Sequence, residues 1–134
     1  MPRILIIDDD VFLLQCLDRF LANLAPVDAA STAQEARRML ARHSYDVMVV
    51  DLNVGRDNGI DIAIQLQHER PDAIGAVILH TGHNPLPAPP LGIPVAHVVV
   101  SKGDLIGLRR AVAARLPLKA SSAWSIARSR ERQP

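Results

Sequence analysis

The chain has 134 residues, 49% of them apolar and 22% charged, with a formal net charge of +1. That size supports one compact domain, and the composition excludes a disordered chain. A single cysteine, Cys16, excludes an internal disulfide framework and a cysteine-based zinc cluster.

No apolar run approaches the roughly 20 residues needed to cross a bilayer. The first residues, Met-Pro-Arg-Ile-Leu-Ile-Ile-Asp, reach acids too soon to hold a signal peptide's apolar region. A cytoplasmic protein is the expectation, and a lone cysteine suits a reducing compartment. The charge is uneven. Residues 1–116 carry 11 Lys/Arg against 13 Asp/Glu, whereas residues 117–134 carry Lys119, Arg128, Arg130 and Arg132 against Glu131 alone. The chain therefore divides into a domain at 1–116 and a basic C-terminal tail at 117–134, which reads as a solvated terminus.

Ile4–Ile7 is a continuous apolar run that stops in three aspartates, Asp8, Asp9 and Asp10. Leu13, Leu14, Leu17, Phe20, Leu21 and Leu24 then recur three or four apart, as one face of a helix does, up to Pro26. Val27–Ala30 is a weak candidate strand. Thr32 and Glu35 form a capping-box pair opening a second helix, with Ala36, Met39 and Leu40 facing inward. Val47–Val50 is a second strong strand, and it too ends in an acid, Asp51. The loop Leu52–Gly59 shows no periodicity. Ile60, Ala63, Ile64 and Gln67 predict a third helix, ended by Pro71. Ala76–Leu79 is a further strand leading to His80, Thr81 and Gly82, and Val95–Val100 is another leading to Ser101 and Lys102. Asp104 caps a last helix carrying Leu105, Leu108, Val112 and Leu116, which Pro117 stops.

Alternating helices and unbroken apolar strands predict an α/β fold with a parallel sheet covered on both faces. In such sheets polar chemistry gathers at the carboxyl ends of the strands. Four of the five proposed strands end in reactive candidates: Asp8–Asp10, Asp51, Thr81 and Lys102. One segment breaks the alternation. Gly82–Pro94 should hold a fourth helix but contains Pro85, Pro87, Pro89, Pro90 and Pro94. Each interior proline costs a helix about 3 kcal/mol, so an extended loop is expected there.

Aspartates, a hydroxyl and a lysine at one sheet edge form a site with chemical meaning. Close carboxylates repel and need a counter-charge, which a hard dication such as Mg²⁺ supplies through oxygen ligands. Lys102 would pair with a carboxylate or a phosphoryl oxygen, and Thr81 would donate to another. One ionised aspartate is then free to attack phosphorus and form an aspartyl-phosphate.

These residues resemble the receiver domain of two-component response regulators, the chemotaxis receiver among them. The resemblance covers residues 3 to about 116. It rests on Ile-Leu-Ile-Ile-Asp8-Asp9-Asp10, Val-Met-Val-Val-Asp51-Leu-Asn, Gly59, Val-Ile-Leu-His-Thr81-Gly and Val-Val-Val-Ser-Lys102. It implies a five-stranded, doubly wound, flavodoxin-like sheet of order 2-1-3-4-5, here with the fourth helix replaced by the proline-rich loop. It implies that Asp51 accepts a phosphoryl group from a phosphohistidine on a sensor histidine kinase or a phosphotransfer protein. Asp9 would be the principal Mg²⁺ ligand, Asp8 would act partly through water, and Asp51 and the backbone carbonyl of Asn53 would complete the set. Thr81 and Lys102 would hold the phosphoryl oxygens, and Asn53 and His83 would influence attack by water. The resemblance implies a signalling domain rather than an enzyme, with at most self-phosphotransfer and autodephosphorylation.

Departures from the family pattern are specific. Gly103 follows Lys102 and Gly55 stands after the phosphoacceptor strand, both at positions where receivers usually have proline. Val99 occupies the position of an aromatic that normally swings inward on activation. Phe12, Phe20, Tyr45 and Trp124, the chain's aromatics, all lie outside residues 46–123.

Plainer readings attach to other residues. Asp10 reads as a helix N-terminal acid. His80, His83 and His97 read as structural or surface residues rather than a transition-metal site. Pro87–Pro90 reads as a stiff loop without a partner, while Trp124 and Ile126 are left between a buried anchor and an exposed pair.

The leading expectation is a stand-alone receiver with an unidentified downstream protein target, with a homodimer also open. A nucleic-acid role would have to rest on the tail, and no membrane role is expected. One alternative is a degenerate receiver that binds its partner with or without phosphate. Another is a small phosphatase similar to the haloacid dehalogenase family, in which Asp8 would be the nucleophile and Asp51 would have no role.

Overall fold

The computed structural model describes residues 2–82 and 96–117, with the side chains of residues 96 and 97 outside that description. The proline-rich segment expected to replace a fourth helix (from residue 83 on), the basic tail from residue 118, His83, Trp124 and the side chain of His97 therefore lie outside it.

The chain alternates as expected: β1 (Ile4–Ile7), α1 (Val11–Leu21), β2 (Val27–Ala30), α2 (Ala33–Arg42), β3 (Tyr45–Asp51), β4 (Asn53–Val54), β5 (Asp57–Asn58), α3 (Gly59–Glu69), β6 (Ile74–Thr81), β7 (Ala96–Ser101) and α4 (Leu105–Arg115). The main sheet has five parallel strands in the order β2-β1-β3-β6-β7. Counting only its own strands along the chain, that is 2-1-3-4-5, the doubly wound arrangement with its switch point beside β1.

Two apolar layers sandwich the sheet. Leu5, Ile7, Met48, Val50, Val77 and Leu79 face α2 and α3, whose Ala36, Leu40, Ile62, Ala63 and Leu66 complete one layer. Ile4, Ile6, Val47, Val49 and Ile78 face the opposite way, onto Leu14, Leu17 and Leu21 of α1 and Leu108 and Val112 of α4. Each such leucine, fully removed from water, stabilises the fold by roughly 1.5–3 kcal/mol. With both faces buried, the central strands need continuous apolar runs, which is why they read so clearly in the sequence.

The helix starts follow their caps. Asp10 accepts from the Leu13 amide, Thr32 from Glu35, Asn58 from Ile60 and Asp61, and Asp104 from Gly107. Helix α3 forms where the spacing predicts, and Ile60 packs partly buried against its layer. Ile62, Ala63 and Leu66 are buried, whereas Ile64 is 37% exposed. Helix α1 stops at Leu21 rather than running to Pro26, because the chain turns there and the Leu24 amide bonds back to the Leu21 carbonyl. Strands β3 and β6 also extend further back than their apolar cores suggest. Tyr45 pairs with Ile74, and the Tyr45 hydroxyl donates to Asp28 at 2.6 Å, tying β3 to the β2 edge.

The loop after β3 holds a small antiparallel hairpin, β4–β5, that periodicity did not show. Its two-residue turn is Gly55-Arg56, and Gly55 has φ +62°, the conformation a II′-type turn requires at its first central position. Gly59, at the start of α3, passes so close to the Asp51 carbonyl that any Cβ there would collide with backbone.

Candidate functional site

Strand register builds the site. Ile7 pairs with Val50, and Val50 with Leu79, so β1, β3 and β6 end level with one another. The next residue of each strand is polar: Asp8, Asp51 and His80, with Asp51 paired to His80. One step further, Thr81 pairs with Ser101, and the Lys102 amide donates to the Thr81 carbonyl at 2.8 Å. The turn after Lys102 closes without proline. The Gly103 amide donates to Ser101 Oγ at 3.2 Å, and the Asp104 amide donates to the Ser101 carbonyl at 3.0 Å.

Lys102 Nζ lies 3.0 Å from Asp8 Oδ2 and 3.1 Å from Asp51 Oδ2. Asp8 and Asp51 are buried and Asp9 is exposed. Among the described residues these three offer carboxylate oxygens that all lie within 4.8 Å of one another. One ammonium, paired with Asp8 and Asp51, thus faces a cluster of three carboxylates, leaving an excess of negative charge among oxygen donors alone. That donor set fits a hard dication such as Mg²⁺ and does not suit a soft metal.

The electrostatics follow from this crowding. Burial, and then the neighbouring Asp8 charge, push the Asp51 carboxyl above its ordinary value, and Lys102 only partly offsets them. Burial alone would lower Lys102, but its hydrogen bonds to Asp8 and Asp51 outweigh that and raise it. Lys102 therefore stays charged at neutral pH.

A cavity of about 280 Å³ opens over Asp51, Asn53, Thr81, Gly82 and Lys102. It has ample room for a phosphoryl group. Asp8, 1% exposed, does not line it.

Asp8, Asp9, Asp51, Asn53, Thr81 and Lys102 are thus all gathered at this one edge of the sheet. Asp10 stands apart, its carboxylate spent on the α1 N-terminus at 3.1 Å from the Leu13 amide. Val99 is partly buried, packed on the layer beneath α2 and α3. Two features escaped the sequence. His80 is buried within the sheet, where burial first, and then Lys102, lowers it to about 4, with Asp8 opposing. The Gly55 amide donates to Asp9 Oδ2 at 3.0 Å, a contact no local pattern encodes.

The Response regulator receiver domain family model matches residues 4–89. The regulatory protein VirG of Rhizobium rhizogenes is 38% identical over 63 residues, which are 46% of this chain and 26% of that protein. The alginate biosynthesis transcriptional regulatory protein AlgB of Pseudomonas aeruginosa is 32% identical over 83 residues, 61% of this chain and 18% of that protein. The chain thus spans about a quarter or less of the length of these curated relatives. Among solved structures, the response regulator TrrA of Thermotoga maritima in complex with Mg²⁺-BeF superposes with a TM-score of 0.70 at 23% identity, covering 87% of this chain and 100% of that one. A Burkholderia pseudomallei response regulator with a phosphorylated aspartic acid and a calcium ion gives 0.67 at 22% identity, covering 100% of this chain and 76% of that one. At these identities the structural likeness speaks for the fold. With level strand ends, an acidic pocket and the family match over most of the described fold, the chain belongs to the receiver domain family of response regulators.

Proposed function

We propose that residues 1–116 form a receiver whose Asp51 accepts a phosphoryl group from a histidine kinase phosphohistidine, with Mg²⁺ as cofactor. The observation that carries this reading is the 3.1 Å contact between Lys102 Nζ and Asp51 Oδ2 beneath a cavity that Asp51, Thr81 and Lys102 line together.

In this reading an Asp51 carboxylate oxygen attacks phosphorus from within the cavity. The new O–P bond forms as the P–N bond to the donor imidazole breaks, and the imidazole leaves with the electron pair. Lys102 and Thr81 then hold two of the phosphoryl oxygens. Asp8 keeps the ammonium in place while Asp51 is modified, since it grips the same Nζ. Asp8, Asp9, Asp51 and the Asn53 carbonyl would hold the metal, which neutralises charge between the carboxylates and the incoming phosphoryl oxygens. No general base is needed when Asp51 attacks as the carboxylate, since that form already carries the electron pair.

A kinase partner is supported by the structure of TrrA in complex with the histidine kinase ThkA of Thermotoga maritima, which superposes with a TM-score of 0.67 at 23% identity, covering 84% of this chain and 96% of that one. Output through a further protein surface is part of the same reading, and turnover would be limited to the domain's own phosphorylation and hydrolysis. The phosphatase alternative is disfavoured by access: Asp8 is 1% exposed and does not line the cavity.

The test is phosphoryl uptake from acetyl phosphate and Mg²⁺. The wild type should take up label stable in acid and lost in base, Lys102→Ala should take up far less, and Asp51→Asn none. Equal labelling of Asp51→Asn would overturn the assignment.

A further inference from the structure

Of the three clustered carboxylates, Asp9 is the exposed one. An exposed aspartate samples several rotamers, and a metal that needs it in one orientation must restrict that freedom. Here the carboxylate is held from across the chain. The Gly55 amide donates to Asp9 Oδ2 at 3.0 Å, over a separation of 46 residues. Gly55 can reach it because it sits in the β4–β5 turn, beyond the last ladder pair Val54–Asp57, so its amide is not used by the hairpin ladder. The same hairpin begins at Asn53, which lines the cavity. The hairpin therefore touches the acidic cluster through one of its carboxylates and the cavity through its first residue.

We propose that Gly55 is a positioning residue for the metal site: its amide locks the Asp9 carboxylate against Asp8 and Asp51, so the β4–β5 turn sets the pocket's affinity for Mg²⁺. A carboxylate has about four lone-pair sites, so accepting one N–H leaves Asp9 free to bind a metal. Hydrogen-bond partners that orient metal ligands commonly change metal affinity by about 10–100-fold when lost. This inference rests on the reading of Asp9 as a metal ligand.

The experiment uses the full chain and Mg²⁺ alone, by calorimetry and amide hydrogen exchange. Gly55→Asn keeps the N–H and tolerates positive φ. Gly55→Pro has no N–H, and its ring fixes φ near −65°. Wild type and Gly55→Asn should bind Mg²⁺ with similar affinity, and Gly55→Pro about tenfold or more weakly. Independently of how Gly55→Pro folds, Asp9→Ala should speed exchange of the Gly55 amide about tenfold, leaving the Gly59 amide, bonded to the Leu52 carbonyl, unchanged. Equal Mg²⁺ affinity in Gly55→Pro and Gly55→Asn, or Gly55 exchange indifferent to Asp9, would overturn the inference while the metal reading stands. No Mg²⁺ binding by the wild type would overturn both.

Discussion

Asp51 and His80 are neighbours in the sheet and carry opposite consequences for stability. The folded-state pKa of Asp51 is raised, mainly by burial, so its support for folding is present in acid and is lost as pH rises through the raised value. Above that value the ionised group burdens the fold, as reactive groups in binding sites commonly do. Metal-free Asp51→Asn should therefore be more stable at pH 7 by about 1 kcal/mol, a rise of about 4 °C in Tm. Mg²⁺ should narrow that gap, because it stabilises the wild type by binding the folded state. A lower Tm for Asp51→Asn without metal would count against the electrostatic account of the pocket.

His80 behaves in the other sense. Its folded pKa is lowered to about 4, so the neutral ring supports folding fully above 6.5, the ordinary histidine value, and that support is lost as pH falls towards about 4. The loss is roughly 3 kcal/mol across the window. His80→Val, apolar and at home in a buried strand, should flatten urea-unfolding stability between those limits. An unchanged acid slope in this variant would show that other groups carry it. The sequence presented His80 as one histidine among several. Its burial follows from where β6 ends against β3 and β7, which local composition does not record.

Among the elements, legibility tracked how local the cause was. Strands β1 and β3 announced themselves as apolar runs ending in acids, and Thr32 and Asp104 announced their helices as caps. Helix α3 was harder, since Ile60, Ala63 and Ile64 are spaced as plausibly as Ile62, Ala63 and Leu66. In the fold Ile62, Ala63 and Leu66 are buried, Ile60 is partly buried and Ile64 is exposed, a division that spacing alone does not give. The β4–β5 hairpin is too short for periodicity, and its tie to Asp9 spans 46 residues. Of the three consecutive aspartates, Asp10 was legible as a helix N-terminal acid, because capping is a local cause. The structure gives Asp10 to the α1 cap and groups Asp8 and Asp9 with Asp51. Asp10→Ala should thus cost about 1 kcal/mol of stability, as a lost N-cap does, while Mg²⁺ affinity stays near that of the wild type. A strong loss of Mg²⁺ binding in this variant would mean that Asp10 is a ligand after all.

At the scale of the whole molecule, the parallel sheet converts chain order into a single reactive edge. Residues from four separate strand ends meet there because the strands are in register, and helices on both faces keep that register rigid. The parallel sheet was legible because strand–helix alternation with buried strands admits few arrangements, whereas its strand order was read from the resemblance to receivers. Distances were not. Only the folded chain shows that Lys102 bridges Asp8 and Asp51, and that the cavity opens on Asp51 rather than on Asp8. This last difference separates phosphoacceptor from phosphatase chemistry. The most direct measurement is reductive trapping of the acyl phosphate with borohydride after acetyl phosphate and Mg²⁺ treatment, followed by peptide mass mapping. The account predicts the trapped product at Asp51 alone and none when Mg²⁺ is chelated, whereas a product at Asp8, or labelling indifferent to Mg²⁺, would contradict it.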